Sequence, residues 1–306
     1  MRKGKIVVIG SSNTDMVIKT DRLPVPGETV LGGNFIMNAG GKGANQAVAA
    51  KRLGADVGFV CKLGTDVFGD KALEGYKDEG MDTSFVFRDP EKSSGIALIT
   101  VDSHAENCIA VASGANGSLN AKDIDTAFPA ISKADCVLLQ LETPVETVGY
   151  AARKAKESGV KVILNPAPAP KDGLPASVLE NLDLIIPNAT EAETLTGVHI
   201  TGYQSACEAA KALASEGVGQ VIITLGVKGS LVFDHGKECV VPAQKAKAID
   251  TTAAGDTFCG AVAVALSEGK SLEEAAVFGA KASAITVTRM GAQSAIPFRK
   301  EIPESI

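Results

Sequence analysis

Short apolar runs alternate along this chain with longer, Ala-rich segments whose apolar residues recur at helical spacing. The runs over 6–9, 57–60, 136–141, 162–164, 184–186 and 221–225 are almost continuous in Val, Ile and Leu. Such continuity predicts strands covered on both faces. Segments 44–53, 68–79, 145–158, 205–215, 257–267 and 272–287 predict the helices between them. The alternation predicts an α/β fold with a central, mostly parallel sheet flanked by helices. Ligands of such folds gather at the C-terminal ends of the strands.

Two regions break the rhythm. Segment 16–37 sets Pro24, Pro26 and Gly27 between short strand-like pieces. Segment 94–112 reads as two strands, 96–101 and 108–112, joined by the polar turn Asp102-Ser103-His104-Ala105-Glu106. No helical pattern separates them, so they predict a small antiparallel sheet projecting from the main body. A projecting sheet exposes an apolar face unless it covers a site or pairs with another copy. The expectation is one α/β domain over 1–306 with a β-sheet lid formed by about 14–38 and 94–112. No internal repeat and no low-complexity linker interrupts it.

Composition narrows the partners. A chain of 306 residues buries roughly 75% of its unfolded surface, so no disulfide or metal staple is required. Aromatic residues are only 4% and Trp is absent, which disfavours stacking platforms for single-stranded nucleic acid. The net charge is −6 with no long basic run, against nucleic-acid or anionic-membrane partners. The six cysteines (Cys61, Cys108, Cys136, Cys207, Cys239 and Cys259) form no Cys-x-x-Cys pair. Most lie in apolar runs, where cysteine acts as a small hydrophobe. A reducing, cytoplasmic setting is expected; the chain enters a strand almost at once, without a secretory leader, and no apolar run reaches membrane-spanning length. His104, His199 and His235 are scattered in polar contexts, so neither a His-based triad nor a zinc site is expected.

Five stretches carry candidate chemistry. The first is Ala248-Ile249-Asp250-Thr251-Thr252-Ala253-Ala254-Gly255-Asp256-Thr257-Phe258-Cys259-Gly260. It reads as a tight loop feeding a helix N-terminus, where unpaired N–H groups and the helix dipole favour an anion. A carboxylate beside such a hole is suited to take a proton while the hole holds an oxyanion; a plain Asp-capped helix start is the alternative. The second, Asn38-Ala39-Gly40-Gly41-Lys42-Gly43-Ala44-Asn45-Gln46-Ala47, lets backbone approach a ligand while Lys42 and Asn45 donate to hydroxyls. Alternatively it is a glycine turn with Lys42 solvated. It is neither a Walker A loop nor a dinucleotide fingerprint.

Asn13 and Asp15 follow the first strand, and an aspartate there accepts from two neighbouring hydroxyls or makes an Asx turn. Asn188 and Glu191 sit three apart at a helix start. They suit a water-mediated Mg²⁺ or phosphate site, or a capping arrangement. Thr224-Leu225-Gly226-Val227-Lys228-Gly229 is a strand end and turn, either a wall for a nucleotide or a plain β-turn.

In this order and over essentially the whole chain, these motifs resemble the ribokinase-like (PfkB) family of sugar kinases. Ser113-Gly114-Ala115-Asn116, Gln140-Leu141-Glu142 and Leu164-Asn165-Pro166-Ala167-Pro168-Ala169 are similar to the wording of the ribose-specific branch. The resemblance implies ATP-dependent phosphorylation of D-ribose at its 5-hydroxyl. It implies Asp256 as general base, with the backbone of Ala253, Ala254, Gly255 and Asp256 holding the transferring phosphoryl group. Asn13, Asp15, Gly41, Lys42, Gly43, Asn45 and Glu142 would bind the sugar. Asn188, Thr224, Gly226, Gly229 and Gly255 would line the ATP side, with Glu191 organising Mg²⁺ through water.

The resemblance further implies a monovalent cation, K⁺, held by Asp250 and by oxygens of Thr252, Thr286, Arg289, Gly291 and Ala295; Ala295 stands where a serine is often expected. It also implies a homodimer formed through the β lid. A deoxyribokinase or another pentose or nucleoside kinase is the neighbouring reading. A sugar-binding regulator without catalysis is opposed by the intact Asp256 and Gly255, and a Rossmann dehydrogenase by the missing fingerprint.

Overall fold

The computed structural model describes residues 3–104 and 106–303; Ala105 of the predicted polar turn lies outside them. In chain order the elements begin with β1 (Lys5–Ile9), β2 (Asn13–Lys19), β3 (Asn34–Gly40), α1 (Lys42–Arg52), β4 (Asp56–Gly64), α2 (Val67–Asp78) and β5 (Val86–Asp89). Next come β6 (Gly95–Val101), β7 (Asn107–Ala112), α3 (Ala121–Ile131), β8 (Cys136–Leu139), α4 (Val145–Glu157), β9 (Lys161–Leu164) and α5 (Ala176–Leu179). The rest are β10 (Leu184–Ile185), α6 (Ala189–Thr196), α7 (Tyr203–Ser215), β11 (Gln220–Thr224), β12 (Ser230–Asp234), β13 (Lys237–Val241), α8 (Ala254–Ser267) and α9 (Leu272–Thr286).

Nine strands form one sheet in the order β13-β12-β11-β10-β9-β8-β1-β4-β5. Every pair from β11 to β5 is parallel, and β12 and β13 close one edge antiparallel. Side chains alternate across the pleat, so each strand feeds two cores. Ile6 and Val8 pack with Val57, Phe59 and Leu138 against α1, α8 and α9. Val7 and Ile9 pack with Val137, Leu139 and Val162 against α3, α4 and α7. Burial on both faces explains why these strands read as continuous apolar runs.

The expected strand over 136–141 ends at Leu139. Gln140 and Glu142 lie beyond it and turn toward the site described below. The second sheet has the order β3-β2-β6-β7. It corrects the antiparallel expectation: β3 with β2 and β6 with β7 are antiparallel, but the central pair β2 and β6 is parallel. Parallel pairing between segments so far apart leaves no local turn signature.

Candidate functional site

The C-terminal end of β1 runs through Ser11 and Ser12 into Asn13, where the chain leaves the large sheet for the small one. Between β3 and α1 the backbone turns at Gly41, whose φ of 88° is open to glycine at no steric cost. A methyl there would lie 2.7 Å from the Asn13 backbone nitrogen. At Gly40 one would lie 2.1 Å from Asp15 Oδ2, so the Asp15 carboxylate rests directly on this glycine turn. Helix α1 then starts at Lys42 without a side-chain cap. Glu142 holds the turn from the far side: its Oε2 accepts from the Lys42 backbone N–H at 3.0 Å and from the Ser11 hydroxyl.

Helix α8 supplies the opposing wall. Helices α3, α6 and α9 all carry reciprocal capping boxes. In α8, by contrast, the N-cap is Ala253 in left-handed conformation (φ 60°, ψ 8°), with no side-chain cap. A non-glycine residue held there costs of order 1–2 kcal/mol. Ala254 N–H donates to Thr251 O and Thr257 N–H to Ala253 O. Among the described residues the N–H groups of Gly255 and Asp256 find no partner and are the open donors of the first turn.

Asp256 is buried, and both its oxygens are addressed by amides. Asn45 Nδ2 donates to Oδ2 at 2.8 Å and Gln46 Nε2 to Oδ1 at 3.0 Å. Two donors on two oxygens fit the ionised, acceptor-only carboxylate. The Gln46 amide is itself fixed. Its Nε2 also donates to Asn165 Oδ1 at 3.0 Å, its Oε1 accepts from Gln140 Nε2 at 2.6 Å, and Asn165 Nδ2 donates to Ile186 O. Gln46, Gln140 and Asn165 stand within the sequence motifs without an expected role of their own, and the structure joins them to Asp256. The signal was present as polar residues at strand ends and on the buried face of α1.

The charges converge on one place. Burial pushes the Asp256 carboxyl up, while Lys42, Asn45 and Gln46 draw it back. Asp15 is raised to about 6, first by burial and then by Glu142 and Asp256, against the pull of Lys42. Burial opposes the charged form of Lys42, yet Asp256, Glu142 and Glu191 outweigh it and its pKa is raised. Asp15, Lys42, Asn45, Glu142, Glu191 and Asp256, expected from separate stretches, thus surround a single site. One ammonium stands among four carboxylates, an arrangement suited to hydroxyl recognition and proton transfer.

Asn188 and Glu191 make a capping box on α6. Asn188 Oδ1 accepts from Glu191 N–H at 2.8 Å, and Glu191 Oε2 accepts from Asn188 N–H at 2.8 Å. The capping arrangement is the one observed; burial raises the Glu191 carboxyl, which also feels Lys42 and Asp256. Asn188 bridges to Thr224 across the sheet. Beyond Thr224 opens a cleft of about 300 Å³ lined by Thr224, Gly226, Gly229 and Gly255. Ala246, Phe258 and Ser283 are among its other lining residues. Phe258 falls within the stretch that ends at Gly260, whereas Ala246 and Ser283 carry no sequence signal, being small residues indistinguishable from core.

Asp250 lies just before α8. Its Oδ1 accepts from Thr252 N–H and Thr252 Oγ1, and its Oδ2 from Gly291 N–H at 2.9 Å. Thr286 is buried at the end of α9; its hydroxyl donates to Thr257 Oγ1 and Ala282 O, and its carbonyl accepts from Arg289 N–H at 3.1 Å, which leaves one lone pair of that carbonyl for a cation. The Arg289 guanidinium pairs with Glu301, and Ala295 is fully buried with only a backbone oxygen to give. Among the described residues no cluster of three or more His, Cys, Asp or Glu suits a metal. One carboxylate with neutral oxygens is a hard, low-charge donor set that fits a monovalent cation better than a divalent one. His199 and His235 are exposed, as expected.

A glycine turn, an amide-held carboxylate and an uncapped helix N-terminus thus lie beside one cleft, an arrangement suited to phosphoryl transfer onto a hydroxyl. The family model for pfkB family carbohydrate kinases matches residues 3–299, and the chain belongs to that family. It is 47% identical to a ribokinase of Haemophilus influenzae over 304 residues, 99% of this chain and 98% of the other. A deoxyribokinase of Salmonella typhi is 38% identical over 98% of this chain and 97% of its own. The structure of Arabidopsis thaliana ribokinase complexed with ribose and ATP superposes with a TM-score of 0.91 at 34% identity, covering 98% of each chain.

Proposed function

We propose that this chain transfers the γ-phosphoryl group of ATP to the 5-hydroxyl of D-ribose, giving D-ribose 5-phosphate. The observation that carries the reading is the buried Asp256 carboxylate, gripped by Asn45 and Gln46 at the foot of a helix whose first amides are open. The sugar lies between the Gly41–Gly43 turn and Asn13, Asp15, Lys42, Asn45 and Glu142. Asp15 in its ionised form, above about pH 6, accepts from adjacent hydroxyls. ATP occupies the cleft beside Thr224, Gly226, Gly229 and Gly255, with Asn188 at its edge. Asp256 takes the 5-hydroxyl proton as that oxygen attacks phosphorus, while the Gly255 and Asp256 N–H groups stabilise the charge on the phosphoryl oxygens. Positioning supplies most of the remaining acceleration.

Glu191 would hold Mg²⁺ through water, and the ion would supply charge neutralisation at the phosphates. Asp250 and the oxygens of Thr252, Thr286, Arg289, Gly291 and Ala295 would hold K⁺, whose charge would steady the loop that presents Ala253 and Ala254. Unpaired Cys61, Cys136, Cys207 and Cys259 support a reducing, cytoplasmic setting, which cell fractionation tests. The deoxyribokinase of similar sequence favours a second reading, in which 2-deoxyribose is the sugar. A buried acceptor left without its hydroxyl costs about 1–3 kcal/mol, so ribose is expected to exceed 2-deoxyribose in kcat/KM by roughly tenfold or more. ADP release over ribose, deoxyribose, fructose and adenosine, with and without Mg²⁺ and K⁺, decides the matter. Equal rates for the two pentoses reverse the ribose assignment, and a flat response to K⁺ removes that site.

The small sheet is the lid. By strand alternation its face opposite Asp15 carries Ile18, Phe35, Met37 and Leu98, all exposed. A contiguous apolar face of this kind is covered by a second copy of the chain, making a homodimer. Leu98→Glu is expected to yield monomers by sedimentation; dimers of unchanged affinity count against this interface.

A further inference from the structure

Asn116 is fully buried beside the point where Asn13 leaves the large sheet. Its Oδ1 accepts from the Ser12 backbone N–H at 2.9 Å, and its Nδ2 donates to Ser12 O at 3.1 Å. The backbone partners fix the orientation of the amide, since Ser12 N–H can only donate and Ser12 O can only accept. The same Nδ2 donates to Asn13 Oδ1 at 2.8 Å. Asn13 therefore spends its acceptor on Asn116, and among the described residues its own Nδ2 finds no protein partner. Gly95 is paired with Asn13 across the small sheet. A methyl at Gly95 would lie 2.2 Å from both Asn116 Nδ2 and Asn13 Oδ1, so no side chain fits between the two amides.

We propose that Asn116 is a positioning residue for sugar selection: it locks the Asn13 amide so that only the donor Nδ2 faces the substrate. Asn13 then offers a donor beside Asp15, which offers an acceptor. The pair reads two hydroxyls in opposite hydrogen-bonding senses, and a flipped Asn13 presents two acceptors instead. The inference rests on the sugar-kinase reading above.

Asn116→Asp is the direct test. It keeps the acceptor for Ser12 N–H but sets oxygen against both Ser12 O and Asn13 Oδ1; of these only the Asn13 amide can turn, and it turns its Nδ2 inward. Variants are assayed on whichever sugar the wild-type protein phosphorylates best, so that a wrong sugar assignment shows in the wild type and leaves this test intact. The expected result is a rise of about tenfold or more in sugar KM, the scale of one buried hydrogen bond lost, with the KM for ATP nearly unchanged. In an Asn13→Ala background the same substitution is expected to add almost nothing. An equal penalty in both backgrounds, or an equal rise in the KM for ATP, overturns the proposal. Should Asn116→Asp fail to fold, Asn13→Asp stands in. It keeps the bond from Asn116 and turns the group facing the sugar from donor to acceptor, at the cost of a further carboxylate beside Asp15, so the folded fraction is fixed by a melting curve and sugar KM is expected to rise. Unchanged sugar KM in that variant also overturns the proposal.

Discussion

Asp256→Asn is expected to lower kcat by roughly 10²–10⁴-fold, the range of a lost general base, with folding and sugar binding near wild type. The surrounding amides explain why the variant tolerates burial. Gln46 cannot turn, because Gln140, Asn165 and residue 256 engage both ends of its amide, so the oxygen of the new amide faces Gln46. Its nitrogen then faces Asn45, whose buried Oδ1 has no hydrogen-bond partner among the described residues and turns to accept from it. The substitution thus removes the proton acceptor while the fold loses little. Steady-state kinetics with a parallel melting curve reads this out. Near-normal turnover in a folded Asp256→Asn protein removes Asp256 from the mechanism.

Gly255→Ala separates stability from activity. A methyl on Gly255 meets nothing within 4 Å in the protein, and its backbone is not in the left-handed region. In a helix Ala is favoured over Gly by roughly 0.5–1 kcal/mol, so the variant is expected to melt at or above the wild-type temperature. Yet Gly255 faces the cleft, and the methyl occupies the space above the open amides. If the transferring phosphoryl group lies there, kcat/KM for ATP falls by about 10²-fold or more, the scale of a disabled oxyanion donor. Sugar binding measured calorimetrically is expected to be unchanged. A stable Gly255→Ala protein with wild-type ATP kinetics places the phosphate elsewhere.

The two-sided strands and the helices between them were legible because full burial leaves uninterrupted apolar runs, and Ile6 to Ile9 is a clear case. Motif residues such as Asp15, Lys42, Asn45 and Asp256 were legible as types at strand and helix ends. Their convergence was not, since Lys42 and Asp256 lie more than two hundred residues apart in sequence. Three features left weaker traces. Strand β3 is mostly exposed, so it lacks an apolar signature. The parallel β2–β6 pairing depends on which strand crosses at Asn13 and Gly95, a fact of tertiary geometry. The amide chain from Gln140 through Gln46 to Asp256 exists only once β8, α1 and α8 are packed. Asn188 and Glu191 show the opposite limit: spacing alone fitted both a cap and a ligand site, and the cap hydrogen bonds form whether or not a ligand follows.

A complex with ribose, ADP and a planar metal-fluoride mimic of the phosphoryl group tests the central arrangement most directly. The account predicts the mimic within hydrogen-bonding distance of the Gly255 and Asp256 N–H groups, with the sugar 5-hydroxyl about 3 Å from the Asp256 carboxylate. A mimic bound away from the start of α8, or a 5-hydroxyl turned from Asp256, contradicts it.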